Sequence, residues 1–430
     1  MQVARAVGRR LPVFYGWVVV GAAGSTMFVR NAAASLTLAV FVYPMAADLG
    51  WSRTLIAGAA SLGGILATAA SPLSGWAVDR YGPRRVLLGS VVVLGLSTLA
   101  LGWASTPLVF YLAYAVGRVL FSSPIQIGAS VAVSQWFIRL RGRANAFLFL
   151  AHALGMGLFP LIAQGLMALG GGEAWRQAWV GLGLLVWGVA VLPVALLLVG
   201  KPEEMGLAPD GSTPPTPGGP KPFPPAPPDT SFTTAQALRT PALWLLALAG
   251  GLLFCVHAGV NIHQGAYLRD KGLAASMAAF AIAVNAACTG GGSLVWGFLS
   301  ERLPVRWLYV ATAGTIALAS VLFAQVNTVA EAFGVTALFG FGLGGMLVLP
   351  SVAYANYFGR RFLGSIRGLA EPFVAGGQAV GALLAGAIFD ATGSYQTAFL
   401  LYAGTGLTAA LLLVGARPPT PPQVAPPPRP

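Results

Sequence analysis

Charge is what this chain of 430 residues has least of: 25 Lys and Arg with 12 Asp and Glu make up 9% of it, against roughly 25% in soluble domains. A chain so poor in charge cannot cover itself with a water-soluble surface. Its two cysteines, Cys255 and Cys288, both fall inside apolar runs and offer neither a disulfide framework nor a metal motif. The three histidines, His152, His257 and His263, have no zinc-ligand spacing, and no P-loop or nucleophile elbow occurs. No enzyme, cofactor or metal is therefore expected, and any work must draw on gradients rather than ATP.

Apolar residues are abundant, at 56% of the chain, with a mean hydropathy of +0.75. A bilayer core of about 30 Å needs about 20 residues at helical rise. Twelve stretches of that kind run over 15–43, 53–77, 84–104, 108–137, 143–169 and 175–199, then 242–268, 273–299, 306–325, 330–357, 366–389 and 395–415. They are continuous rather than alternating, which excludes a β-barrel, and are rich in the Gly and Ala that let helices approach closely. The first is too long for a cleaved signal and more follow it. The expected fold is an all-α membrane protein of twelve transmembrane helices.

The chain also repeats itself about 222 residues apart. Gly75-x-x-x-Asp79-Arg80 returns as Gly297-x-x-x-Glu301-Arg302; Trp136-Phe137 with Arg141-Gly142-Arg143 returns as Tyr357-Phe358 with Arg360, Arg361, Arg367 and Gly368. Trp175-x-x-Ala178-Trp179 likewise matches Tyr395-x-x-Ala398-Phe399. Two six-helix, pseudo-symmetric halves are expected, over 1–200 and 241–416, as in transporters built from parallel repeats. Residues 201–240, dominated by Pro, Gly and Thr, read as a linker whose end, Thr233 to Thr240, suits a short interfacial helix. Residues 417–430 form a Pro-rich tail expected to be disordered.

A formal charge of +13 is what a nucleic-acid binder would carry, but the bases alternate by loop. Arg5, Arg9 and Arg10 precede the first span; Arg80, Arg84 and Arg85 follow the second; Arg139, Arg141 and Arg143 follow the fourth. The series continues with Lys201, Lys221 and Arg239, then Arg302 and Arg306, then Arg360, Arg361 and Arg367, and ends on Arg417 and Arg429. The other loops hold Arg53, Arg176, Arg269 and Lys271, nearly balanced by Asp48, Glu173, Asp270, Glu331 and Asp390. The positive-inside rule puts both termini in the cytoplasm of an inner-membrane protein. Nucleic acid is not an expected partner.

Gly75-x-x-x-Asp79-Arg80-x-Gly82-x-Arg84-Arg85 resembles the hallmark of the major facilitator superfamily. Within it, Tyr15-Gly16-Trp17, Leu49-Gly50-Trp51-Ser52-Arg53, the Trp136 to Arg143 loop and Pro202-Glu203-Glu204-Met205-Gly206-Leu207 resemble the bacterial monocarboxylate porter group, which includes oxalate/formate exchangers. The resemblance spans the whole chain. It implies small organic carboxylates as substrates, moved with a proton or by exchange, and a central path lined by helices one, four, seven and ten. It also implies that the loops of Gly75, Asp79, Arg80, Gly82, Arg84, Glu301 and Arg302 lock helix ends by charge and dipole, stabilising an outward-open state; the plainer reading of these residues is a topology anchor. The group commonly carries a substrate-binding Arg in helix eight, where this chain has Ser293.

Ionisable residues inside a bilayer are functional candidates because burying them is costly. Arg30 and Arg118 fall near mid-span in helices one and four, where two guanidinium forks would face a carboxylate; the alternative is pairing with backbone carbonyls. Neither has an acidic neighbour at that depth in the first six helices. His257, Asn261 and Gln264 make one polar stripe on helix seven, and the resemblance implies a histidine there without choosing between His257 and His263. His152 in helix five is a further candidate for substrate or proton, or a neutral histidine satisfied by backbone. Glu371, four residues after Arg367 near the start of helix eleven, reads as an i, i+4 ion pair or as a gate or proton site. Asn285, Gln126, Tyr354 and Gln378 complete the candidate lining.

The expected function is secondary transport of a small organic anion by alternating access, with the lipid bilayer, the anion and a coupled proton as partners and a monomer as the working unit. A drug or metabolite exporter of the same fold, or a carboxylate sensor without flux, are the alternatives.

Overall fold

The computed structural model describes residues 2–10, 12–169, 174–211 and 231–420. Glu173, Lys221, Arg429, the centre of the linker and the tail beyond 420 lie outside the described residues. Among those described, twelve helical spans are long and apolar enough to cross a membrane and no strand occurs.

A short helix, α1 (Gln2–Arg10), precedes the spans. Span one is split into α2 (Gly16–Val29) and α3 (Ser35–Leu49) by a 3₁₀ turn at Arg30–Ala33 and an extended Ala34. Spans two and three are α4 (Arg53–Tyr81) and α5 (Pro83–Leu101). Span four is split into α6 (Pro107–Ser122) and α7 (Pro124–Trp136) because Pro124 has no N–H to continue the ladder. Spans five and six are α8 (Arg141–Leu169) and α9 (Ala174–Leu197). In the linker lies α10 (Thr234–Leu238), started by a capping box between Thr233 and Gln236. The second set comprises α11 (Pro241–Asp270), α12 (Ala275–Leu299), α13 (Val305–Phe323), α14 (Val329–Phe358), α15 (Leu363–Thr392) and α16 (Gln396–Gly415).

Local chemistry sets these limits. The hydroxyls of Ser52, Thr106, Thr240 and Thr328 accept the N–H groups left free at the starts of α4, α6, α11 and α14. Gly82, at φ +82°, turns α4 into α5, a conformation costly for a residue with a Cβ. Each set of six packs mainly on itself, α5 with α9 and α11 with α15, while α4 against α15 and α8 against α12 join the sets. The stack of Phe41 on buried Trp179, ring centroids 3.8 Å apart, ties the second part of span one, α3, to span six.

The seams between the sets close at the end that carries the termini. There the Gly75 backbone lies on Gly364, and Gly142 on Gly297, so closely that a Cβ at any of the four would meet the opposite backbone. Beside each glycine pair a carboxylate at the end of one helix caps the start of another. Asp79 accepts from the N–H groups of Gly364 (2.9 Å) and Ser365 (2.6 Å). Glu301 accepts from the N–H of Arg143 (3.2 Å) and pairs with its guanidinium at 2.7 Å. The repeat seen in the sequence is thus a pair of related clasps. Gln135 and Arg360 exchange side-chain-to-carbonyl bonds, and Arg141 donates to Asn356 (2.9 Å). Among the described residues, no hydrogen bond or ion pair joins the sets farther from this end than Gln126 with Glu371.

Candidate functional site

The two broken spans create the site. Breaking span four leaves the Phe121 carbonyl to accept from Arg30 Nη1 (2.9 Å), and the bend of span one leaves the Ala33 carbonyl to accept from Tyr114 (3.3 Å) and Arg118 (3.5 Å). Arg30, 2% exposed, also donates to Gln126 Oε1 (2.7 Å) and, from Nε, to His152 Nδ1 (3.4 Å). Asn31 reaches the same imidazole (3.2 Å). One ring, Phe121, carries both guanidiniums, 4.5 Å from Arg30 and 4.9 Å from Arg118. Carbonyl pairing, the plainer reading of these arginines, is present in part, yet the buried Nε of Arg118 has no hydrogen-bond partner among the described residues.

Gln126 carries the network into the other half. Its Nε2 faces Glu371 Oε1 at 3.5 Å; Glu371 pairs with Arg367 at 3.6 Å; Arg367 donates to Ser130 (2.6 Å) and Ser351 (2.9 Å). The first six helices hold no acidic group at the depth of the arginines; Glu371 reaches them from the second half, about 12 Å along α15 from Leu363. The i, i+4 pair exists, and the same carboxylate stands within electrostatic reach of Arg30. A cavity of about 30 Å³, room for a water or two, is lined by Gln126, Tyr309, Tyr354, Arg367 and Glu371.

The second half contributes amides. Asn285 Nδ2 donates to Asn261 Oδ1 (3.1 Å) and Gln264 Oε1 (3.0 Å), Gln264 faces Thr336 (3.4 Å), and Thr289 donates to the Asn285 carbonyl (2.8 Å). His257, one turn before Asn261, leaves its buried Nδ1 without a partner and lies within electrostatic reach of His152 across the seam.

Twelve spans in two related sets, joined by two carboxylate clasps and a central polar network, are the setting for comparison with known proteins. The sequence model of the Major Facilitator Superfamily matches residues 22–283 and 258–429. The chain belongs to the major facilitator superfamily. It is a multi-pass membrane transporter, with a small-molecule substrate. It is similar to the oxalate:formate antiporter of Oxalobacter formigenes, 25% identical over 384 residues that cover 87% of this chain and 85% of that one. It is also similar to the uncharacterized MFS-type transporter YhjX of Escherichia coli (strain K12), 25% identical over 309 residues, 67% of this chain and 68% of the other. The fold matches the crystal structure of the human organic anion transporter MFSD10 (TETRAN) with a TM-score of 0.67 at 15% identity, covering 94% of this chain and all of that one.

In this superfamily member Tyr354 lines the central cavity, while His263 and Gln378 lie apart from the network. His263 binds Tyr395 (3.2 Å) and the Ala382 carbonyl (3.1 Å), joining spans seven, eleven and twelve. Tyr354 is buried and stacks on Phe358. Gln378 is half-buried and forms no hydrogen bond among the described residues. Of the hallmark residues, Arg84 donates to the Ala195 carbonyl within the first half, and Arg80 and Arg302 take no part in the clasps. The reading of the sequence overlooked Phe121, Asn31 and Ser130. The Ser123-Pro124 step in the middle of an apolar run marks a break and therefore free carbonyls, that of Phe121 among them, but gives no sign of its ring, of Asn31 or of Ser130.

Proposed function

We propose that this transporter carries small organic anions through a site between the halves, with Arg30 and Arg118 receiving the anionic group. The observation that carries this reading is the charge count around Phe121 and Gln126. Three guanidiniums, Arg30, Arg118 and Arg367, share one carboxylate, Glu371, and that carboxylate is paired with Arg367. An excess of desolvated cations is stable only with an anion to answer it. The likeness to an oxalate:formate antiporter supports the same class.

An anion arriving from the open side would meet the unpartnered Arg118 Nε first and then compete with Gln126 and the Phe121 carbonyl for Arg30. Releasing Gln126 loosens its contact with Glu371, the central link between the halves. Occupancy of the site is thereby coupled to separation of the seam, as alternating access requires. Coupling is by exchange or proton symport; Glu371, His152 and His257 are the groups placed to carry a proton. His263, held by Tyr395 and Ala382, is set apart from that path. With both termini cytoplasmic, as the distribution of bases supports, the clasped end would face the cytoplasm; the conformer is then read as outward-open, in the plasma membrane, with a monomer as the working unit.

The test is thermal stabilisation of the purified protein by a panel of carboxylates, sulfonates and organic cations, with Arg118→Gln beside the parent, because a ligand of the folded state raises its apparent stability. Stabilisation by carboxylates that Arg118→Gln abolishes is the expected result; stabilisation by cations alone refutes the anion site. Counterflow in proteoliposomes with and without a proton gradient then separates exchange from symport.

A further inference from the structure

We propose that the second half holds an uncharged subsite, the His257 and Asn261 stripe with Asn285 behind it. It reads a neutral hydrogen-bonding group at the far end of the substrate, so that the preferred anion is a monocarboxylate bearing an amide or hydroxyl rather than a dicarboxylate. The inference rests on the anion site proposed above.

Three observations carry it. First, the second half supplies no cation for a second carboxylate. Arg269, Lys271, Arg302, Arg306, Arg360 and Arg361 lie at helix ends, and Arg367 is committed to Glu371, Ser130 and Ser351. Ser293 donates to the Thr289 and Gly344 carbonyls, at a crossing where a Cβ on Gly344 would meet the backbone of α12. A long cationic side chain has no counterpart there.

Second, the amide cluster is organised with unused capacity. Asn285 spends its amide hydrogens on Asn261 and Gln264, which fixes both. Asn261 is exposed, and its own Nδ2 donates to nothing among the described residues. His257, four residues earlier on the same face, has its buried Nδ1 unpartnered. Asn261 thus presents an unspent amide donor on an exposed face, and His257 beside it a buried nitrogen without a hydrogen-bond partner among the described residues, a cost that a ligand pairing it would relieve.

Third, the depth fits. Helices α8 and α12 run antiparallel, with Gly142 against Gly297 and Leu150 against Gly290. Continuing that register, His152 lies about 3 Å beyond Leu150 and Asn285 about 7 Å beyond Gly290. The amides thus stand about one helical turn to the open side of the level at which His152 meets Arg30, and His257 is within electrostatic reach of His152.

The experiment measures binding of butanoate, 4-hydroxybutanoate, succinamate and succinate to the full-length protein and to Asn261→Leu and Asn261→Lys. Succinamate or 4-hydroxybutanoate is expected to bind about tenfold tighter than butanoate, the scale of one net hydrogen bond, and tighter than succinate. In Asn261→Leu the succinamate-to-butanoate ratio falls to about one, and in Asn261→Lys succinate becomes the preferred ligand. Succinate binding best to the parent, or ratios unmoved by both substitutions, overturns the subsite while leaving the anion site standing. If none of the four binds the parent, the anion site fails and the subsite with it.

Discussion

Gly75→Ala should open the closed end without touching the substrate site. In the structure a Cβ on Gly75 would lie against the Gly364 carbonyl oxygen, 2.8 Å from the Gly364 carbonyl carbon and 3.1 Å from Ser365 Cα. These are backbone atoms of α15, which no side-chain rotamer can move aside, and α15 is held there by Asp79. Overpacking of this kind costs about 1–3 kcal/mol. The contact exists only while the two halves meet at this end, so the cost falls on the closed conformer alone. The helix-forming advantage of Ala over Gly, up to about 1 kcal/mol, is present in both conformers and cancels.

The expected shift in the open-to-closed ratio is then roughly 5- to 150-fold. It is read by pulsed electron resonance between spin labels at Tyr81 and Trp307, both exposed at this end, one on each half, with Cys255 and Cys288 replaced by Ser. The longer-distance population should grow in Gly75→Ala. A distance distribution identical to the parent, in a protein of unchanged thermal stability, would refute the reasoning.

The clasp carboxylates give weaker versions of the same effect. Asp79→Asn and Glu301→Gln should each shift the open-to-closed equilibrium by about 1 kcal/mol, the scale of a helix cap, and the double variant should shift it by their sum because the clasps share no residue; a double variant no more open than either single one would contradict two independent clasps. Pro124→Ala restores an N–H that can recapture a carbonyl of span four, so carboxylate affinity measured by calorimetry should fall about tenfold while melting temperature holds or rises; unchanged affinity would show that the break does not shape the site. Trp179→Ala removes a buried indole stacked on Phe41 and should cost about 3–5 kcal/mol, seen as a lower melting temperature in detergent with no change in the label-distance ratio.

Several site residues were legible because bilayer burial makes polar side chains conspicuous. Arg30, Arg118, His152, Gln126 and Glu371 stand out in apolar runs, and the structure links four of them through Arg30 and Gln126. Arg118 joins them through the shared Phe121 ring. Asn261 and Asn285, chosen from separate spans, proved to be bonded to each other. Other choices were not brought together, since the facing of a polar residue depends on which neighbour its helix meets. His263 points to Tyr395 rather than to the seam, and Gln378 joins neither cluster. Phe121 was invisible among the 23 phenylalanines, because a ring becomes a cation platform only when something places guanidiniums against it.

The sequence alone determined the solvent and the repeat: too few charges for water, twelve runs of bilayer length, and one hallmark stated twice. Those follow from composition and local periodicity, which each segment carries by itself. Only the tertiary structure decided that Glu371 stands beside the arginine network, that the clasps hold one end shut, and that Arg118 keeps an unanswered nitrogen. Each depends on groups from different spans meeting in space, and electrostatic reach is a matter of distance between side chains, to which separation along the chain is no guide.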